Sequence, residues 1–356
     1  MKKLNSYLLK EFLSMFIGSL ILFVILVTIA DLSSKLSYYT EHPENMRYFI
    51  IYHLARTPHN LYYLFPIALM FSSTYVLGTF VKNKEMLAVQ NSGISLFKFS
   101  SPIFVIVIVL CLGLIGFWQF VAAPMNKISF EANDLGRGHK KAEYTGALNI
   151  FGANDYIYFI ENFNFNENYL TNTVIVKLKK DGAIDMRISS PSVRWNDNER
   201  RWYVENGILA EFSDEKNISV KEITNYPLDV LERPEHFMNR PLLDSMSLTE
   251  EMHWIKLRKE VNLNTNNLET DFHYRISYCF SGFIIVLLAS LFSKFSTQSV
   301  LVVSLVMVIM VALLYYSILM MFRSMGDGGN MNPFIAAWMP NIIFAGLCFL
   351  AFKKFY

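Results

Sequence analysis

FSSPIFVIVIVLCLGLIGFWQFVAAPM, residues 99–125, carries no charged side chain, and the chain turns polar immediately after it at Asn126 and Lys127. A bilayer core about 30 Å thick takes about 20 apolar residues of helix, which satisfies every backbone group within the segment where lipid offers none. The stretch therefore predicts a membrane span. Working outward, residues 12–30 and 60–81 upstream and 276–293, 295–322 and 331–352 downstream are equally free of charge. Six spans result, three on each side of a polar middle. The first is too long for a signal-peptide core and no small-residue cleavage site follows it, so it reads as a retained helix.

Composition agrees. The 356 residues are 53% hydrophobic and only 17% charged, and a mean hydropathy of +0.29 excludes both a disordered chain and a uniformly soluble enzyme. Lys and Arg number 32 against 30 Asp and Glu, a net charge of +2, without the concentrated positive field that nucleic acid needs. No nucleic-acid partner is expected. Cys111, Cys279 and Cys348 each sit in an apolar run, which suits packing and not a disulfide frame or zinc knuckle. The seven histidines are scattered without metal-ligand spacing, and neither a phosphate-binding G-x-x-x-x-G-K-[ST] loop nor a G-x-S-x-G nucleophile setting occurs. No catalytic residue, metal site or bound cofactor is expected, and the chain does not read as an enzyme. The span centres lack titratable groups, which argues against an ion-coupled transporter.

Short loops set the orientation, because lysine and arginine near span ends stay on the cytoplasmic side. With both termini inside, Lys3, Lys10, Lys82, Lys84, Lys98, Lys294 and Lys353 all lie there. The middle is then extracytoplasmic. It is expected to run over residues 126–246 as an all-β domain, from runs such as YIYFIENF at 156–163, TVIVKLK at 173–179 and RWYVENGILAEF at 201–212. Turns at Lys180-Asp181-Gly182 and Asn206-Gly207 fit a sandwich or jelly-roll of seven to nine strands. Ser247-Leu248-Thr249-Glu250 has the form of a capping box opening a short helix, and an Asn-rich linker leads to the last three spans at 272–356.

Within residues 1–125, the piece between spans two and three, KNKEMLAVQNSGISLFKFSSP at 82–102, is amphipathic through Met86, Leu87, Val89 and Ile94. A helix at about 83–98 would suit either a groove in a soluble partner or the lipid surface, and periodicity leaves both open.

Specific residues carry a resemblance. Residues 57–102 hold Pro58, Pro66, Gly78, Glu85, Ala88, Gly93 and Pro102; Pro124 closes span three; WYVENG lies at 202–207; Arg233-Pro234-Glu235 follows; FHYRIS stands at 272–277; and GNMNPFIAAWMPN at 329–341 includes Pro333, Trp338, Pro340 and Asn341. Taken in order, these resemble the LptF/LptG family of lipopolysaccharide-export permeases over nearly the whole chain, with 202–207 leaning toward LptG. The resemblance implies one permease subunit of an ABC transporter in the bacterial inner membrane, with its β domain periplasmic and with lipopolysaccharide or a related glycolipid as cargo. It implies a paralogous permease, LptF if this chain is LptG, a dimeric LptB-like ATPase that uses the ATP and magnesium, and periplasmic jelly-roll bridge proteins like LptC and LptA. It makes Glu85 the ATPase-coupling residue, with Met86, Leu87 and Gly93 shaping the contact. It places the lipid cavity between spans one and five, for which Phe16, Phe23, Leu305, Ile309, Leu313 and Tyr316 are the wall candidates. A polyanionic headgroup needs cations at the cavity mouth; Lys35 is the first candidate, followed by Arg47, Arg56, Lys127, Arg137 and Arg323. Tyr278 and Cys279 stand where family members often carry proline, and the glycolipid stays open. Two other readings are weighed: an ABC protein that transmits force without passing lipid, and a membrane anchor that displays a β domain.

Overall fold

A computed structural model describes residues 2–137, 144–145, 148–164, 167–214, 217–237, 243–260, 263–292 and 299–355. Lys294 and Phe295, at the expected start of span five, lie outside these residues. In chain order the helices are α1 (Lys2–Glu41), α2 (Met46–Lys82), α3 (Glu85–Asn91), α4 (Leu96–Phe117) and α5 (Ala123–Gly136). Seven strands follow, then α6 (Pro234–Phe237), α7 (Leu248–Glu260), α8 (Asn266–Phe292), α9 (Val300–Asp327) and α10 (Pro333–Phe355). The chain forms two units, one of Met1–Arg137, Leu243–Met252 and Asn266–Tyr356, the other of Gly138–Leu242 and His253–Thr265.

Among the described residues of the first unit, six helices are long and apolar enough to cross a membrane. Span three does not stop near Met125. Pro124 has no N–H to donate, and the turn ahead of it, Trp118–Ala122, opens to π geometry with the Ala123 N–H reaching the Trp118 carbonyl. The helix then continues as α5, since proline in a first helical turn costs little. The expected boundary at Asn126 thus moves to the end of α5, and Leu243–Met252 also joins the membrane unit.

The spans are unequal. In α2 and α8, 72% of the most apolar window is buried, against 22% in α1 and in α9. Helices α2 and α8 are therefore the centre and α1 and α9 the periphery. Gly282 shows how closely the centre packs: a Cβ there would lie 2.8 Å from Leu69 and 3.3 Å from the Cys111 sulfur, so a larger residue would require Leu69 to shift where α8 approaches α2 and α4. Three polar groups in this core hold one another, which offsets the cost of their burial. The Asn341 amide donates to the Ser277 carbonyl at 2.7 Å, Ser277 Oγ donates to the Ala337 carbonyl at 2.8 Å, and the Tyr315 hydroxyl donates to Asn341 Oδ1 at 3.0 Å.

The second unit is the inserted β domain. Strands β1 (Tyr144–Thr145), β2 (Leu148–Phe151), β3 (Tyr156–Asn164), β4 (Tyr169–Leu178), β5 (Ile184–Asn196), β6 (Arg201–Asp214) and β7 (Asn217–Leu228) form one antiparallel sheet. Its order is β1-β3-β4-β5-β6-β7, with β2 also paired to β3. From β3 to β7 the strands pair in chain order. Alternate residues, such as Tyr156, Tyr158 and Ile160 in β3, are buried on one face, where Trp202, Phe163 and Phe237 complete the core. The turn at Gly182 forms, with φ +87°. Asn206-Gly207 is no turn: both residues lie inside β6, where the β5 register shifts between Ser189 and Val193. A Cβ on Gly207 would sit 2.8 Å from the Ser189 carbonyl, so this glycine serves a bulge. The carboxylate of Glu232 is buried under the sheet and accepts from the Ala153 N–H and, at 2.7 Å, from the Tyr158 hydroxyl. Burial and that carboxylate push the Tyr158 phenol well above its ordinary value.

Candidate coupling helix and lipid-facing spans

The helix between spans two and three, α3, is shorter than the expected 83–98. Lys84 precedes α3 in the left-handed region at φ 60°, and Gly93 follows it at φ +76°. The Gly93 N–H reaches the Gln90 carbonyl at 2.9 Å and the Ile94 N–H the Val89 carbonyl at 3.3 Å, a Schellman closure that needs a left-handed residue between them. Nothing lies within 4 Å of a Cβ on Gly93, so backbone conformation alone demands the glycine. Glu85 opens the helix, where a carboxylate complements the dipole, and accepts from the Asn83 amide at 3.2 Å. Leu87 is 55% exposed, whereas Met86 is 5% exposed and packs into the membrane core. Met86 anchors the helix and does not lie on its free surface.

The expected wall residues separate in the same way. Phe16 is buried, with its ring edge-on to Phe65 at 5.2 Å, and Phe23 is half-buried, edge-on to Phe71 at 5.8 Å. Both hold α1 to α2. The hydroxyl of Tyr316 donates to the Tyr63 carbonyl at 3.2 Å and meets the Tyr278 hydroxyl at 2.6 Å, tying α9 to α2 and α8, and Leu305 is half-buried against the core. Ile309 and Leu313 are 57% and 65% exposed. On α1 the exposed face is Ile21, Leu22, Ile25, Leu26 and Ile29.

Lys35 is held. Its ammonium lies 2.9 Å from Asp31, donates to the Tyr52 hydroxyl and stands 3.9 Å from the Tyr52 ring centroid. Asp31 also faces His53 Nδ1 at 3.5 Å. Arg56 donates to Asn126 Oδ1 at 2.9 Å, Lys127 lies 4.0 Å from Glu250, and Arg323 donates to Asp271 at 2.5 Å. Arg47 and Arg137 are exposed.

The residues missed in the sequence are Arg275, Asp271 and Glu251, all buried. Arg275 Nε donates to Glu251 at 2.6 Å, its Nη2 donates to Asp271, and its guanidinium lies 4.0 Å from the Trp118 ring centroid. One signal was present: Asp271 and Arg275 are four apart, the spacing of an ion pair along a helix.

Ser277 of the FHYRIS stretch thus meets Asn341 of the last span, two residues brought together from two distant motifs. A family model described as lipopolysaccharide export system permease LptF/LptG matches residues 6–354. The chain belongs to the LptF/LptG family. It is a multi-pass membrane permease of lipopolysaccharide export, and no curated protein matches it. In this LptF/LptG permease the matched region contains both the peripheral spans and helix α3.

Proposed function

We propose that this permease takes lipopolysaccharide or a related glycolipid from the outer leaflet of the inner membrane and passes it to periplasmic bridge proteins like LptC and LptA. The chain pairs with a paralogous permease, as the LptG-like member opposite an LptF. Both termini are cytoplasmic and the β unit is periplasmic. The observation that carries the reading is the contrast among spans: α1 and α9 bury only 22% of their apolar windows while α2 and α8 bury 72%. Wide apolar faces on two spans of one chain are what acyl chains and a second permease would cover. Ile309 and Leu313 on α9, with Ile21 and Ile25 on α1, form the lipid-facing part of that wall, and Phe16, Phe23, Leu305 and Tyr316 support it from behind.

Force enters from an LptB-like ATPase, which uses ATP and magnesium. Helix α3 offers it Glu85 and Leu87, with Met86 as the inward anchor and Gly93 setting the turn. Photocrosslinkers placed at Ile21, Ile309 and Leu313, and at the exposed Val105 of α4, test the lipid path in cells. Glycolipid adducts are expected on α1 and α9 and not at Val105. Equal capture at all four positions overturns the reading.

A further inference from the structure

Residues Leu243–Met252 lie in sequence between the two pieces of the β unit, Gly138–Leu242 and His253–Thr265, yet belong to the membrane unit, and the hydrogen bonds that hold them there come from two spans. From the end of span three, Trp118 Nε1 donates to the Met246 carbonyl at 3.1 Å, the Gln119 amide to Thr249 Oγ1 at 2.8 Å, and the Asn126 amide to the Asp244 carbonyl at 2.7 Å. From span four, one side chain holds both ends of the segment: Arg275 donates through Nη2 to the Leu243 carbonyl and through Nε to Glu251, each at 2.6 Å. Its guanidinium rests on the indole of Trp118. The first turn of α7 adds its capping box, Ser247 N–H to Glu250 at 2.8 Å and Glu250 N–H to Ser247 Oγ at 3.3 Å.

We infer that Arg275 is a positioning residue for export: by clasping Leu243 and Glu251 against Trp118 it makes residues 243–252 a strap that moves as one body with spans three and four. The chain enters residues Gly138–Leu242 of the β unit from α5, the continuation of span three, and leaves that segment through this strap before returning to the unit at His253. A displacement of those spans is then delivered to both ends of the segment.

The charges make the clasp testable. Glu251 and Asp271 are buried beside Arg275, and Asp271 also accepts from Arg323 of α9. Removing Glu251 alone leaves a buried guanidinium N–H without its acceptor, and removing Arg275 alone leaves Glu251 without its donor. Each orphan is costly, and in any variant that lacks Arg275 the Leu243 carbonyl also loses its donor, while Asp271 stays paired to Arg323.

The test is hydrogen exchange on the full-length permease in nanodiscs, comparing Glu251→Leu, Arg275→Met and the double variant, with the amides of α2 and α8 as internal control. Each variant is expected to speed exchange across 243–252 by about tenfold or more, and the double variant to stay within about threefold of Arg275→Met, because the Leu243 carbonyl lacks its donor in both. Singles that leave the strap protected, or a double variant that regains the parent's protection, overturn the clasp. Complementation of export in cells is the second readout, with loss expected in all three variants. This arm rests on the proposed function and the exchange arm does not, so faster exchange with export retained overturns the role in export and leaves the clasp itself standing. Exchange that spreads through α2 and α8 in the single variants also overturns the inference, because Arg275 then supports the whole core and not the strap.

Discussion

Met86 and Leu87 are adjacent in the chain and face opposite ways: the first is 5% exposed and packed among the spans, the second 55% exposed. A seven-residue helix closed by left-handed residues on both sides therefore has one side devoted to the permease and one left for a partner. The two residues are expected to fail differently. Met86→Ala should destabilise the chain by about 2 kcal/mol through the cavity it leaves, read as a lower melting temperature in detergent. Leu87→Asp should leave the melting temperature unchanged and abolish co-purification of the ATPase. Equal effects on melting would sink the assignment of faces.

Glu85 is exposed at the start of α3, so its loss should not disturb the fold. Glu85→Ala is expected to leave expression and melting as they are while export falls and ATP hydrolysis in the assembled transporter continues. A variant that still extracts lipid at the full rate rules out the coupling role.

Gly93 occupies φ +76° with open space around it. Gly93→Val should cost about 1–2 kcal/mol from the left-handed conformation alone, with Gly93→Asn milder because asparagine visits that region more readily. If valine and asparagine behave alike in proteolysis of the loop, the backbone argument fails.

The ion pair between Lys35 and Asp31, at 2.9 Å, competes with any anionic headgroup for the same ammonium. Asp31→Asn is expected to raise, and Lys35→Ala to lower, the amount of phosphorylated glycolipid that co-purifies, measured by mass spectrometry. An Asp31→Asn protein that retains less lipid than the parent contradicts this.

Tyr158 carries a pH prediction for the β unit. Its phenol is pushed up by burial and by Glu232, so the folded state holds this proton more tightly than the unfolded chain does. The stability it contributes is complete below the ordinary tyrosine value near 10 and is lost as pH rises above it. Tyr158→Phe should flatten the fall in stability between about pH 10 and 11.5, while costing about 1–3 kcal/mol at neutral pH by leaving Oε2 of buried Glu232 without its tyrosine donor. Melting curves of both proteins across that range decide it, and parallel slopes would count against Tyr158.

The six spans, the β insertion and the Ser247–Glu250 cap were legible in the sequence because each follows from a local rule. Lipid offers a backbone no hydrogen bonds, a half-buried strand alternates, and a cap needs its residues three apart. Positions decided by distant partners were not legible. Asn206-Gly207 has the composition of a turn, but the neighbouring strand places it in a bulge. Pro124 has the look of a helix end, but a π turn carries the chain past it. Phe16 and Met86 look like contact residues, and packing against α2 and the core turns them inward.

What the sequence alone determined is which segments enter lipid and which form strands, since those choices depend on neighbours within a few residues. Only the tertiary structure decided that α1 and α9 stay peripheral and that Arg275 meets Trp118, Leu243 and Glu251. Those contacts join residues far apart in the chain, and a buried charge is stable only where the whole fold brings its partners to it.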